Sequence, residues 1–359
     1  MNRIFYFILP LLYACTPGNE TRQPLASRDQ AVFEKIDFHS HYRYTRECLP
    51  ALLDAWNMRT VLVDVAKTDT ARNRLLWQAL QAHYASDPQR YFLCTSFAAL
   101  EIDAPDFVPS LINKLEKDLA NGALMVKIWK VHGMEIKDKE GNYVQVDDAR
   151  LQPIWDFLTD RKVPVMAHIA EPQQAWRPLQ DGNPHSGYYR DHPQYHAYLH
   201  PEIPSWETII AARDRWVARN PQLTIVAAHL GSMSHDVDLV AQRLDSFPNL
   251  YVEIAARFGD LTGQPHEKVR DFFIKYQDRI LYGTDFEISS PEGEEDDNPC
   301  EYIEANLALQ WQYFSSADSI LAGPPQLSYP IRTKGLNLPD SVLQKFYSVN
   351  ALKILQPAN

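Results

Sequence analysis

Eight short apolar runs recur along the chain, and the stretches between them carry apolar residues at helical spacing. The runs read KIDFHSH (35–41), TVLVDVA (60–66), YFLCTSF (91–97), ALMVKIW (123–129), VPVMAHI (163–169), LTIVAAHL (223–230), LYVEIAA (250–256) and RILYGTD (279–285). Each has strand length and is apolar or β-branched in character. Between them, TARNRLLWQALQAHYA, FVPSLINKLEKDLANG and SWETIIAARDRWVARN read as helices, often followed by Gly or Pro. Strands alternating with helices imply right-handed βαβ units and a parallel sheet. Eight such units predict an α/β fold of the (β/α)8 TIM-barrel type, with a doubly wound open sheet as the alternative.

The polar residues at the ends of these runs decide between the two. His39 and His41 lie two apart at the end of the first run, and side chains at that spacing in a strand share a face. Two converging imidazoles suit a metal ion; two loop histidines with separate hydrogen bonds are the plainer reading of such a pair alone. His168 ends the fifth run, His229 the sixth and Asp285 the eighth. A barrel crowds the C-terminal ends of its strands into one mouth, where active sites of that fold lie. An open sheet would carry its first and eighth strands far apart. The barrel is therefore expected.

Composition narrows the function classes. The 359 residues carry a formal net charge of −11 and no Lys/Arg-rich block, so a nucleic-acid footprint is excluded. The acidic run PEGEEDDN reads as a solvated loop. At the N-terminus, MNR precedes the apolar IFYFILPLLYA, which is too short to span a bilayer and ends in LYAC. Residues 1–14 are expected to be a signal peptide, and 15–34 a lipidated Cys15 followed by a flexible polar tether. The protein is thus expected to be an exported bacterial lipoprotein held at a cell-envelope membrane, periplasmic or surface-exposed. An ordinary secretory signal cut nearby, with Cys15 incidental, is the alternative. Cys48, Cys94 and Cys300 are too sparse for a disulfide framework, and Cys94, in an apolar run, is expected to be a buried free thiol.

HSH after the first run, AHI after the fifth, AHLGS after the sixth and YGTDF after the eighth resemble the amidohydrolase superfamily. More narrowly, the pattern is similar to the amidohydrolase-related branch that includes aminocarboxymuconate semialdehyde decarboxylase. The resemblance runs from about Lys35 to about Leu355 and makes 35–359 the catalytic domain. It implies that His39, His41, His168 and Asp285 are metal ligands and that His229 handles a proton. Such a set of imidazoles with a carboxylate, leaving a position open, is of the catalytic kind. One divalent transition metal is implied, with Zn2+ the first expectation and Mn2+ or Fe2+ accepting similar ligands. Asp285 is expected both to touch the metal and to accept a proton from its water.

Lys127 lies near the place where binuclear relatives carry a carboxylated lysine; a cation for an anionic substrate group is the preferred reading. Lys130 is expected on the opposite strand face, in a structural role. Arg257, after the seventh run, could clamp a carboxylate or phosphate bidentately, or close a salt bridge in the mouth. Glu253 is expected to pair with a buried cation, and Glu171 to orient the His168 ring or touch substrate. The long connection EPQQAWRPLQDGNPHSGYYRDHPQYHAYLHPEIPSW should lie over the mouth, where Trp176, Tyr188 and Tyr189 could line a pocket. Its His185, His192, His196 and His200 read as loop packing. A second insertion, from about Glu287 to Pro330, is uninformative.

The function implied is that of a metal-dependent hydrolase, activating a metal-bound water toward an amide, ester or lactone carbon of a small molecule. Non-oxidative decarboxylation of an aromatic or enoic acid, a lyase reaction, is the alternative within enzymes. A non-catalytic ligand-binding lipoprotein is the alternative outside them.

Overall fold

The computed structural model describes residues 30, 32–293, 299–323, 327 and 329–356. A parallel sheet is built from β1 (Lys35–Tyr42), β2 (Met58–Val63), β3 (Tyr91–Phe97), β4 (Ala123–Ile128), β5 (Val165–Ala167), β6 (Ile225–Ala227), β7 (Leu250–Glu253), β8 (Ile280–Leu281) and β9 (Glu287–Ile288). The strands follow the order β8-β7-β6-β5-β4-β3-β2-β1-β9. Its two edges, β8 and β9, are successive parts of one segment, so the sheet curls until its ends meet. Along that seam Phe38 N donates to Tyr282 O at 3.0 Å, Asp285 N to His39 O at 2.7 Å and His41 N to Phe286 O at 2.7 Å. The architecture is an α/β fold with a curled parallel sheet, consistent with the expected TIM-barrel type.

Each of the eight expected runs carries a strand, but β5 to β8 stop well short of the expected C-terminal ends, as do β2 and, by one residue, β4; for β5 to β8 the backbone past the strand shows why. The cause is local. His168, Ala170, His229, Ala256 and Asp285 lie just past those ends, and all but His168 have positive φ, between 53° and 65°. Left-handed backbone cannot continue a ladder, so the chain turns there and its side chains line one rim.

The principal helices are α1 (Cys48–Ala55), α2 (Thr70–Ser86), α3 (Phe107–Ala120), α4 (Gln152–Asp160), α5 (Trp206–Arg219), α6 (Val237–Ser246), α7 (His266–Lys275) and α8 (Pro299–Ser315). Asp69, Ser205 and Asp236 cap α2, α5 and α6 by accepting from backbone N–H groups of the first turn. The sheet is buried on both faces, as parallel sheets are. Leu62, Leu93, Val126 and Val252 pack with helix residues such as Leu53, Leu115, Trp155 and Trp216. The opposite face gathers Val61, Val63, Cys94, Met125, Met166 and Leu281, closed by Ile354 and Leu355 of the terminal helix Asn350–Leu355.

Ile36 and Phe38 belong to this second, inner cluster. Strict alternation would therefore turn His39 and His41 outward. The register with β2 slips by one residue between Asp37 and Ser40, a bulge that restores the inward direction to both histidines.

Two features lie beyond the sequence reading. The insertion after β9 holds α8 and an antiparallel hairpin, β10 (Ser319–Ala322) with β11 (Ile331–Lys334). Cys48 and Cys300 form a single disulfide between α1 and α8, a pairing the sequence reading did not name. Cys94 is free and buried, as expected. The signal peptide and Cys15 lie outside the described residues, and no helix among those described is long and apolar enough to cross a membrane.

Candidate active site

The inner face of β1 sets the centre of the rim. His39 Nδ1 lies 2.8 Å from Glu253 Oε1 and His41 Nδ1 lies 2.8 Å from Val63 O. Both partners are acceptors, so each ring carries its proton on Nδ1 and presents a bare Nε2 lone pair. The two Nε2 atoms are 3.2 Å apart, and Asp285 Oδ1 lies 3.3 Å from the first and 3.1 Å from the second. Three acceptors facing one another repel unless a cation meets them; Lys127 Nζ, 2.8 Å from His39 Nε2, meets one, and a metal ion among them would meet all three. His39, His41 and Asp285 accordingly form a group whose donor atoms could hold a metal ion. His39, His229 and Glu253 form a second such group. There the His39–Glu253 hydrogen bond already satisfies the carboxylate, so the first group is the better metal seat.

His168 stands beside that group. Its Nε2 is buried without a hydrogen-bond partner among the described residues, and its ring centroid lies 4.3 Å from that of His229. His229 Nδ1 donates to Ala255 O at 2.7 Å and its backbone N–H to Glu253 Oε1 at 2.9 Å, which leaves Nε2 as the acceptor of the ring. Burial, reinforced by neighbouring cations and rings, holds His39, His168 and His229 well below the ordinary histidine value. Neutral imidazoles with free lone pairs are what metal binding and proton uptake require.

Three cations surround this centre. Lys127 is fully buried, with Nζ 2.8 Å from His39 Nε2, and burial lowers its pKa to about 8. Arg257 is 6% exposed; Nη1 donates to Ala256 O at 2.8 Å, while Nε has no partner. Among the described residues no carboxylate lies within ion-pair distance of it. The salt bridge weighed for Arg257 in the mouth does not form.

Lys130 does not stay on the outer face. It reaches Glu171 in a close ion pair, lies 3.4 Å from Tyr188 Oη and sits 3.6 Å over the Tyr195 ring. β4 ends at Ile128 and Lys130 already has helical backbone angles (φ −56°, ψ −10°), so strand alternation no longer sets its direction. Glu171 also accepts from Tyr189 Oη at 3.2 Å and so turns away from the His168 ring it was expected to orient. Tyr188, Tyr195 and Trp129 make an aromatic wall beside these groups. Trp176 instead donates to Pro204 O at 3.1 Å. The loop histidines are structural: His185 bonds Asp260, His192 bonds Tyr188 O, His196 bonds Arg177 O and His200 bonds Pro193 O.

Asp37 escaped the sequence reading, and the role of Glu253 differs from the one expected. Glu253 accepts from His39 and His229 rather than pairing with a buried cation, and so joins the two central histidines. Asp37 accepts from His39 N at 3.1 Å, Thr284 N at 3.0 Å and Thr284 Oγ1 at 2.6 Å, stitching β1 to the bend that carries Asp285. Burial raises its pKa to about 7. The signal for both was visible: an acid inside an apolar strand run has to find donors.

Gly283 of YGTD explains its own identity. A Cβ there would lie 3.1 Å from His39 Cβ and 3.2 Å from Glu253 Oε2, so the eighth strand can approach β1 closely only without a side chain.

Residues 36–356 match the Amidohydro_2 family, described as amidohydrolase. No curated protein sequence matches the chain. Among solved structures, 2,6-dihydroxybenzoate decarboxylase from Rhizobium is similar with a TM-score of 0.52 at 17% identity, covering 90% of this chain and 98% of that one. A 2,6-dihydroxybenzoate decarboxylase complexed with 2,6-dihydroxybenzoate gives 0.53 at 16%, covering 90% and 99%. A dihydroxybenzoic acid decarboxylase from Polaromonas sp. JS666, with bound manganese and 2-nitroresorcinol, gives 0.50 at 15%, covering 90% and 97%. At these identities the likeness speaks to the fold. The family match spans nearly all of the described fold and every motif gathered at its rim, and by it the chain is an enzyme of the amidohydrolase family.

Proposed function

We propose that this protein is a metal-dependent hydrolase of a small, carboxylate-bearing molecule, built on a full (β/α)8 barrel whose eighth strand is split into β8 and β9. His39, His41 and Asp285, with His168 alongside, are the residues that would hold one divalent metal. When bound, such an ion lowers the pKa of a water and polarises a carbonyl oxygen. Asp285, whose side chain is 28% exposed, opens to the rim and takes a proton from the attacking water. His229 accepts or returns a proton at Nε2, since its Nδ1 is committed to Ala255 O.

The observation that carries the substrate class is Arg257. A buried guanidinium with an unpartnered Nε and, among the described residues, no carboxylate within ion-pair distance is costly unless an anion arrives. Arg257 therefore seats a substrate carboxylate, and the Trp129–Tyr188–Tyr195 wall shelters the remainder of the molecule from water.

The same seat supports decarboxylation as a second reading. The structurally similar enzymes named above are decarboxylases of aromatic acids, and a carboxylate held by Arg257 beside His229 fits protonation of the carbon that loses CO2. One assay separates the two. Metal-loaded enzyme is incubated with panels of carboxylated lactones, amides and aromatic acids, and CO2 release is followed alongside water addition. Turnover with water uptake and no CO2 supports hydrolysis; stoichiometric CO2 overturns it. Arg257→Met should raise KM for whichever acid turns over by about 10-fold or more, the scale of a lost charged hydrogen bond. An unchanged KM would remove Arg257 from substrate binding.

We further infer export with lipid on Cys15; a disulfide such as Cys48–Cys300 accords with an oxidising compartment. Labelled fatty acid should enter the wild type and not Cys15→Ala. Equal labelling would refute the anchor.

A further inference from the structure

Asp260 lies three residues past Arg257, in the short helix Phe258–Thr262 that follows β7. Side chains at that spacing on a helix are neighbours, and an acid so placed is the natural ion-pair partner of an arginine. The turn between them is closed, with Leu261 N donating to Arg257 O at 3.1 Å. Yet the pair does not form. The charge of Arg257 reaches Asp260, but among the described residues the guanidinium hydrogen-bonds Ala256 O alone.

Two groups from other connections hold the Asp260 carboxylate instead. His185, in the long connection after β5, lies with Nε2 2.9 Å from Oδ2 and 3.1 Å from Oδ1, so that nitrogen carries the proton and donates it. Ser234, after β6, donates to Oδ2 at 2.6 Å. All three residues are buried. Gln264 Nε2 bridges the Asp260 and Ser234 carbonyls at 3.0 and 2.8 Å and fixes the two backbones to each other. His235 and Tyr329 also sense the Asp260 charge, but neither hydrogen-bonds the carboxylate. Both of its oxygens are thus engaged by groups other than Arg257.

We propose that His185 and Ser234 are positioning residues for substrate binding: by holding Asp260 they keep it from capturing Arg257, and so leave the guanidinium free for a substrate carboxylate. The inference rests on the reading of Arg257 as that seat, and adds what keeps the seat open. A buried guanidinium gains from any carboxylate that can pair with it in two parallel bonds. An acid of the same helix has the advantage over a dissolved one, because it loses no translational freedom on pairing. Restraint of Asp260 is therefore what an open seat needs, and the bonds from the two neighbouring connections supply it.

Titration calorimetry of the metal-loaded full chain with benzoate tests this, with a melting curve for each variant. Arg257→Met and His185→Ala should each weaken benzoate about tenfold or more. Ser234→Ala, which frees one oxygen only, should weaken it about threefold or more. Asp260→Asn should bind at least as tightly as the wild type, because the competing charge is gone. The decisive variant combines His185→Ala with Asp260→Asn and should return to within about threefold of the wild type. A bond that merely braces the loop predicts the opposite, a loss in Asp260→Asn and no recovery in the double variant. Should His185→Ala fail to fold, Ser234→Ala and its combination with Asp260→Asn carry the same test. Wild-type affinity in folded His185→Ala, weaker binding in Asp260→Asn, or no recovery in the double variant would overturn the inference while Arg257→Met still loses benzoate. No benzoate binding by the wild type, or undiminished binding in Arg257→Met, would overturn the carboxylate seat itself and the inference with it.

Discussion

Glu253 accepts hydrogen bonds from His39 Nδ1, from His229 N and from Ala255 N, so one carboxylate fixes both the tautomer of one ring and the backbone beneath the other. Glu253→Gln keeps the shape but puts a donor where acceptors are needed. Metal affinity should fall about 10–100-fold, as for other changes behind a ligating histidine. Chelator competition on folded protein measures it, and undiminished affinity would show that Glu253 does not orient His39. A second residue sets a pH dependence. His132 is buried after β4, with Nδ1 3.1 Å from Trp129 O, and burial lowers its pKa from 6.5 to about 4. The folded state thus resists a proton that the unfolded chain accepts. This histidine's contribution is intact above pH 6.5 and is lost as pH falls toward about 4. The loss amounts to about 3 kcal/mol, at 1.36 kcal/mol per unit. Denaturant titrations between pH 7 and 4 should show a shallower decline in His132→Gln than in the wild type; equal slopes would contradict the assignment.

At the scale of elements, the eighth strand and β1 depend on each other's closeness. Gly283→Ala would press a methyl against His39 Cβ and Glu253, contacts a few tenths of an ångström too short. The variant should fold, with a loss of roughly 1–3 kcal/mol from overpacking, while metal retention drops disproportionately because His39 is the atom displaced. Melting temperature and metal content on one preparation check this; a fully loaded variant would show that β1 yields without moving its ligands. This element also marks how far the sequence was legible. The eight apolar runs located the strands, and the spacing of His39 and His41 located the metal-competent pair. The bulge between Asp37 and Ser40 was not legible, because Ile36 and Phe38 alternate as faultlessly as the histidines do. Only the packing of both sets inward reveals the extra residue. Nor was the β10–β11 hairpin visible, since its short, half-exposed strands bury few apolar residues.

For the molecule as a whole, long-range pairing was the least legible feature. Cys48 and Cys300 are 252 residues apart, and nothing local to either announces the other. The direction of Lys130 was likewise set by the turn into helical backbone after β4, not by its position in VKIWK. In contrast, a curled sheet that joins its first and last strands makes the strand-end residues neighbours whatever their separation, which is why His39, His41 and Asp285 meet although the last lies far along the chain. The central claim is that these residues hold one metal ion on which activity depends. Elemental analysis of purified wild type and His39→Ala, with a melting curve for each, tests it most directly. The expected result is one divalent metal per wild-type chain, almost none in a variant that still folds, and turnover lost with the metal. Full occupancy in the folded variant, or two metals per wild-type chain with Lys127 carboxylated, would contradict it.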